Sequence, residues 1–199
     1  MKTITKQLQA IAKTMLCLLL IGGSVLFTSC KQSEKTEETI TTNETQTDTI
    51  AAENGENSSD DMFLTEAAAI NLEEIELGKL AQNRATTNEV KDFGKMMVDG
   101  HTKSLNELKG LAAKKGITLP QDVSEEGKNT LDELTKSDAK TFEKTYMAKM
   151  VEGHTETIRK FEDARDNAAD ADVKAWATKT LPDLQMHLQH AVTVQQKIN

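Results

Sequence analysis

The sequence predicts an all-α protein built from four long helices. Residues 61–199 contain no alternating strand pattern, and long stretches instead carry apolar residues at helical spacing. The connections between these four stretches are short, long and short in turn. Two antiparallel hairpins joined by a long crossover have this order of connections, which is the ferritin-like way to build a four-helix bundle.

The predicted helices have recognisable starts and stops. We expect the four long helices at about 62–84, 87–114, 138–168 and 171–197. Lys115 and Gly116 form a stop signal after the second helix. The crossover contains a short extra helix from Ser124 to Thr135, with Ser124 as its N-cap. Pro182 lies inside the last helix and is expected to kink it or to break its hydrogen-bond ladder.

Polar residues interrupt the apolar stripes of all four long helices. Winding each helix at about 100° per residue places Glu74, His101 and His154 at the centres of the first three stripes. His187 falls on the flank of the fourth stripe. All four residues lie roughly 18–24 Å from the starts of their helices. Three imidazoles and one carboxylate are therefore expected to meet at one level of the core.

A six-residue pattern occurs twice and contains two of these histidines. Residues 97–102 read MVDGHT, and residues 150–155 read MVEGHT. We call these two segments the MV[DE]GHT copies. The short repeated pattern excludes a solenoid and indicates a duplicated helix segment. Met97 and Met150 precede their histidines by one turn on the same face, so they are candidate soft ligands for Cu(I).

The first interpretation of the polar residues is a single transition-metal site formed by Glu74, His101, His154 and His187. Three imidazoles and a carboxylate suit Zn²⁺, Cu²⁺ or Fe²⁺. The alternative is a buried hydrogen-bond network that only fixes the register of the helices. A di-iron site is disfavoured, because valine stands three residues before His101 and His154, where di-iron bundles carry glutamate.

The sequence contains no other motif that carries chemistry. It has no serine nucleophile elbow, no phosphate-binding loop, no dinucleotide fingerprint and no haem-attachment motif. Whether the protein is an enzyme stays open, and the lack of these motifs favours a protein without enzymatic activity. The second candidate function is a structural or stress-related module that meets a protein partner through its acidic surface.

The N-terminal 29 residues have the organisation of a lipoprotein signal peptide. Three lysines precede an apolar run that is too short and too interrupted by glycine for a membrane span of about 20 residues. Thr28 and Ser29 then precede Cys30 and resemble a lipobox, although Phe27 stands where leucine is commoner. We expect cleavage before Cys30 and a lipid on it, with Lys31 favouring the outer membrane, facing the periplasm. An ordinary signal peptide with a chance cysteine is the alternative.

Residues 30–60 are expected to be a disordered acidic tether, and residues 61–199 the bundle domain. The tether is rich in threonine, glutamate and asparagine and poor in apolar residues. Loss of the three lysines of the signal peptide changes the formal net charge from −8 to −11. An acidic chain without a basic stripe is not expected to bind nucleic acid. The sequence leaves the protein partner and the oligomeric state open.

Seven segments carry a resemblance to a known family. They are Phe63 to Ala81, Val90 to Phe93, Met97 to His101, Ile117 to Pro120, Phe142 to His154, Thr180 to Leu184, and His187-Leu188. As a set they resemble a bacterial envelope family known as domain of unknown function 4142, over essentially all of residues 61–199. The resemblance implies a ferritin-like fold and an extracytoplasmic setting, and it implies no established reaction.

Overall fold

The computed structural model describes residues 58–198, which form five α-helices and contain no strand. The helices are α1 Ser59–Arg84, α2 Asn88–Lys115, α3 Glu125–Lys136, α4 Ala139–Asn167 and α5 Ala171–Ile198. The predicted all-α class is confirmed, with four long helices and one short one. The predicted signal peptide, Cys30 and nearly all of the predicted tether lie outside the described residues. Within residues 58–198, each helix is too short or too polar to cross a membrane.

The helix ends follow local capping rules. The helices α1 to α4 each begin after a residue whose side chain accepts a hydrogen bond from the first turn: Ser58, Thr87, Ser124 and Asp138. Gly116 ends α2 in the left-handed conformation, with a φ of 70°. Helix α1 begins at Ser59, earlier than expected, because Ser58 caps it and Asp60 and Asp61 favour its positive N-terminal end.

The long helices pack as two pairs. Helix α1 packs along α2 and α4 along α5, while α2 with α5 and α1 with α4 form the seams between the pairs. Helix α3, in the long crossover, contacts α1 and α4. Glu143 of α4 holds the α1–α2 connection in place. Its Oε1 accepts hydrogen bonds from the backbone N–H groups of Thr86 at 2.6 Å and Thr87 at 2.7 Å.

The core consists of two apolar clusters. The first contains Leu64, Leu108, Phe161 and Trp176, among others. The second contains Leu77, Phe93, Phe142 and Tyr146, among others. On each long helix, buried polar residues lie between the two clusters: Asn71 and Glu74 on α1, His101 on α2, His154 on α4 and His187 on α5. We call this set the polar layer.

Helix α5 continues across its proline. It runs through Pro182 from Ala171 to Ile198, so the proline removes one bond of the ladder without ending the helix. Pro182 and Thr178 are both exposed, so the carbonyl that loses its N–H partner can be hydrated. Met186 is 42% exposed, and His190 is exposed as well.

Candidate metal centre

The three histidines of the polar layer meet in the core. The ring centroids of His101, His154 and His187 are 5.2–5.6 Å apart, and each residue is at most 3% exposed. One nitrogen from each ring lies within 4.8 Å of the other two. A tetrahedral zinc ion with bonds of about 2.0–2.1 Å needs its nitrogens about 3.3 Å apart, so the nitrogens would approach one another by up to about 1.5 Å to complete a site.

Hydrogen bonds fix the tautomers of His101 and His154. Nδ1 of His101 lies 3.0 Å from Oδ1 of Asn71, and the amide of Asn71 is oriented because its Nδ2 donates to the carbonyl of Ala67 at 2.8 Å. Nδ1 of His154 lies 2.9 Å from the carbonyl oxygen of Met150. Because these oxygens only accept, Nδ1 is the protonated nitrogen of both rings. The other nitrogen, Nε2, therefore carries a free lone pair.

The nitrogens that remain are buried and unsatisfied. Nε2 of His101, Nε2 of His154 and Nδ1 of His187 have no hydrogen-bond partner within residues 58–198. Seven buried side-chain atoms in this part of the chain lack a partner, and four of them, these three nitrogens and Oε2 of Glu74, belong to the polar layer. Buried polar atoms in native proteins rarely lack a partner, so their concentration in one layer calls for an explanation. A shared metal ion satisfies all three at once, since neutral imidazole is a common metal ligand.

The protein environment keeps the three imidazoles neutral. Burial lowers the pKa of His154 and of His187 to about 4. Burial and the two neighbouring rings hold the pKa of His101 well below its usual value. Metal ligands must be deprotonated, and these histidines meet that condition throughout the neutral range.

Glu74 lies in the polar layer but outside this group of nitrogens. Its Oε1 is 3.9 Å from Nδ1 of His154, whereas the free nitrogen of that ring is Nε2. Burial and the nearby charge of Glu73 raise the pKa of Glu74 to about 8, so the carboxyl group is neutral at pH 7. The structure thus brings together three of the four predicted ligands. Glu74, the fourth, lies next to Nδ1 of His154.

Comparison with known proteins identifies the family. A model described as "Domain of unknown function (DUF4142)" matches residues 45–194, about three quarters of the chain. The chain belongs to the DUF4142 family. The resemblance drawn from the sequence is confirmed, and the match contains the whole polar layer. No curated protein and no solved structure matches this chain.

The two methionines proposed as soft ligands are buried in the second apolar cluster of this DUF4142 protein. Met97 is fully buried and Met150 is 1% exposed. Met150 contributes its backbone carbonyl to His154. A thioether role for either residue stays a prediction.

Sequence reasoning gave no role to two residues that shape the DUF4142 site. Asn71 lies one turn before Glu74 on the apolar face of α1, and a polar residue at that spacing was the available signal. Gly100 lets the ring of His187 pack directly on α2, because a Cβ at this position would lie 2.7 Å from Cε1 of His187. A glycine precedes the histidine in both MV[DE]GHT copies, and this repetition was the signal in the sequence for a role of Gly100.

Proposed function

We propose that this protein is a lipid-anchored envelope protein whose ferritin-like bundle binds one transition metal ion between His101, His154 and His187. One observation carries the proposal. His101, His154 and His187, from three different helices, each place one ring nitrogen within 4.8 Å of the other two, and each ring has a buried nitrogen without a hydrogen-bond partner in the described part of the chain. Unpartnered buried nitrogens destabilise a purely structural core, whereas a metal ion would bind them.

The ligand chemistry limits the choice of metal. Three neutral imidazoles suit Zn²⁺, Cu²⁺ or Fe²⁺. The hydrogen bonds from His101 to Asn71 and from His154 to the Met150 carbonyl resemble the outer contacts that orient metal-binding histidines. The carboxylates that a di-metal site requires are not among the converging atoms, so we propose a single ion.

The fold and location are proposed on separate grounds. The pairing of α1 with α2 and of α4 with α5, with α3 in the long crossover, supports a ferritin-like bundle. The lipobox-like sequence before Cys30 supports attachment to the bacterial outer membrane, facing the periplasm. The membrane serves as the point of attachment, and we assign the protein no reaction.

The second candidate function is structural. The amide of Asn71 joins α1 to His101 of α2 through a buried hydrogen bond, and such bonds can fix helix register. In this alternative, the protein is an interaction module whose acidic surface meets a partner. The unsatisfied nitrogens favour the metal site over this alternative.

Metal analysis of the full-length chain, purified in detergent without a histidine tag, tests the proposal. We expect one equivalent of Zn²⁺, Cu²⁺ or Fe²⁺ after loading and buffer exchange, and a higher melting temperature with that metal. The double variant His101→Gln, His154→Gln should retain no metal. The matched control is His190→Gln, because His190 is exposed and should not contribute.

Two results would contradict the metal site. The first is a wild-type protein that retains no stoichiometric metal and shows no thermal shift with any of these ions. The second is equal metal retention by the double variant and by the His190→Gln control. Helical circular dichroism of each variant confirms that the comparison is made between folded proteins.

A further inference from the structure

A cleft that reaches two of the three histidines indicates how the site communicates with solvent. It lies between α2 and α5 and is lined by His101, His187 and Ser104, among others. Its volume is about 150 Å³. A water molecule occupies about 30 Å³ of liquid, so the cleft has room for a few waters or for a small ion.

The three histidines alone would leave a bound divalent ion incompletely coordinated. Zn²⁺ sites are almost always four-coordinate, and sites with three protein ligands keep the fourth position for water or another small molecule. The remaining candidate, Glu74, lies 3.9 Å from Nδ1 of His154, away from the converging nitrogens. No fourth protein ligand lies among the converging nitrogens, so the fourth position is available to a ligand from outside the chain.

Charge favours an anion as that ligand. Three neutral imidazoles carry no charge to balance a divalent ion, and Glu74, 3.9 Å from Nδ1 of His154, can balance at most one of its two positive charges. Buried charges require partners, so a charge remains for an anion to balance. The cleft also contains the cations Lys103 and Lys179. They pair with Asp183 at 3.3 Å and with Glu107 at 2.9 Å across the α2/α5 seam.

These two ion pairs do not seal the cleft. The side chains of Lys103 and Lys179 are each 63% exposed, and pairs this exposed contribute little to stability. The lysines are therefore free to exchange their carboxylate partners for an incoming anion. Gly100 and Ser104 line the cleft together with His101 and His187.

We propose that the fourth coordination position opens into the α2/α5 cleft and binds a small monoanion in exchange for a water ligand. This inference rests on the proposed metal site and goes beyond it. A closed four-ligand structural site would admit no such exchange. The anion forms its bond to the metal as the water leaves, so nothing is oxidised or reduced.

Azide titration of the full-length chain loaded with Co²⁺ tests the inference. The visible spectrum of Co²⁺ reports its coordination, and we expect a saturable azide-dependent change in the wild type. Ser104→Leu fills the cleft and should weaken azide binding at least about tenfold while Co²⁺ is retained. The matched control is Thr102→Leu on the exposed face of the same helix, which should behave as wild type.

A second variant covers the case in which Ser104→Leu disturbs the fold. Lys103→Ala removes an exposed cation of the cleft, and it should also weaken azide binding with Co²⁺ retained. Retained Co²⁺ without an azide-dependent change in the wild type would overturn this inference and leave the metal site standing. Equal azide affinity in the wild type, Lys103→Ala and Ser104→Leu would overturn the assignment to this cleft. If the wild type binds Cu²⁺ but not Co²⁺, the same titration is made with Cu²⁺, whose visible spectrum also reports its ligands. Failure of the wild type to bind Co²⁺, Zn²⁺, Cu²⁺ and Fe²⁺ would overturn the metal site, and this inference with it.

Discussion

The two MV[DE]GHT copies bury their histidines equally well but place their glycines in different surroundings. His101 in α2 is 3% exposed and His154 in α4 is 2% exposed. Gly100 is covered by the ring of His187, since an added Cβ would lie 2.7 Å from it. Gly153 faces the Oε1 of Glu74, which would be 3.8 Å from an added Cβ.

The histidines of the two copies also have different hydrogen-bond partners. His101 depends on the side chain of Asn71 from another helix, whereas His154 uses the carbonyl of Met150, one turn back in its own helix. A repeated sequence therefore fixes which face a residue occupies, because that depends on helical spacing alone. The neighbouring helix decides what the residue contacts.

Exchanging each glycine for alanine should have opposite effects in the two copies. Gly100→Ala pushes the ring of His187 aside and should weaken metal binding by about a hundredfold. This is the upper end of the effect expected when a metal-binding histidine loses a contact that orients it. Gly153→Ala meets ordinary contact distance and should stabilise α4 by about 0.5–1 kcal/mol, with metal affinity unchanged. Competition with a chelator measures the affinity, and urea unfolding measures the stability.

The pair of variants is its own control, since both add one methyl group before a buried histidine. Equal metal affinity in the two variants would show that contact with Gly100 does not position His187. Unfolding of Gly100→Ala would be a different result, and circular dichroism at low temperature separates it from loss of the site.

Removal of the Asn71 amide should affect only the α2 copy. In Asn71→Ala, Nδ1 of His101 loses its acceptor in a buried position, which should cost about 1–3 kcal/mol of unfolding free energy. Metal affinity should fall by about tenfold, because the ring loses the bond that orients it. Urea unfolding and chelator competition measure these changes.

Asn71→Asp provides the matched control, because it retains an oxygen acceptor for the His101 N–H group. We expect it to recover most of the metal affinity. If Asn71→Ala and Asn71→Asp bind metal as tightly as the wild type, the amide does not orient His101.

The metal-free protein should be most stable near pH 6.5. The pKa of His154 and of His187 is about 4 when folded and about 6.5 when unfolded, so stability rises with pH across that window. His101, with its pKa lowered by burial, acts in the same direction. Glu74 acts in the opposite direction between about 4.5 and 8, because burial and Glu73 raise its folded pKa. The three imidazoles dominate below pH 6.5, and Glu74 dominates above it.

Glu74→Gln should remove the decline in stability above pH 6.5. The difference from wild type between pH 6.5 and 8 should reach about 2 kcal/mol, from about 1.4 kcal/mol per proton and pH unit. Urea unfolding in the presence of a chelator measures it. Glu76→Gln, at an exposed position paired with Lys79, is the control and should keep the wild-type profile. A decline that persists in Glu74→Gln would mean that another group titrates.

Most of the fold could be predicted because its signals are local. The cap at Ser124 and the glycine stop at Gly116 depend on residues within one turn of the helix end. The level at which His101 and His154 meet follows from helical rise and connection lengths. These quantities need no knowledge of side-chain rotamers.

The parts that could not be predicted depend on contacts between helices. Glu74 is at the expected level, but which nitrogen of His154 it approaches depends on the rotamers of both side chains. Asn71 acquires its role only through the rotation of α1 against α2. Pro182 keeps its helix intact because the lost hydrogen bond lies on the solvent side, which the proline alone does not reveal.

The two apolar clusters on either side of the polar layer contain separate optical reporters. Trp176 is the only tryptophan of the chain and lies in the first cluster, against Phe63 and Phe161. Tyr146 is the only tyrosine and lies in the second cluster, between Phe93 and Phe142. Trp176 can be excited alone at long wavelength, and the emission of Tyr146 lies at shorter wavelength than that of Trp176, so each half of the core can be followed without any introduced label.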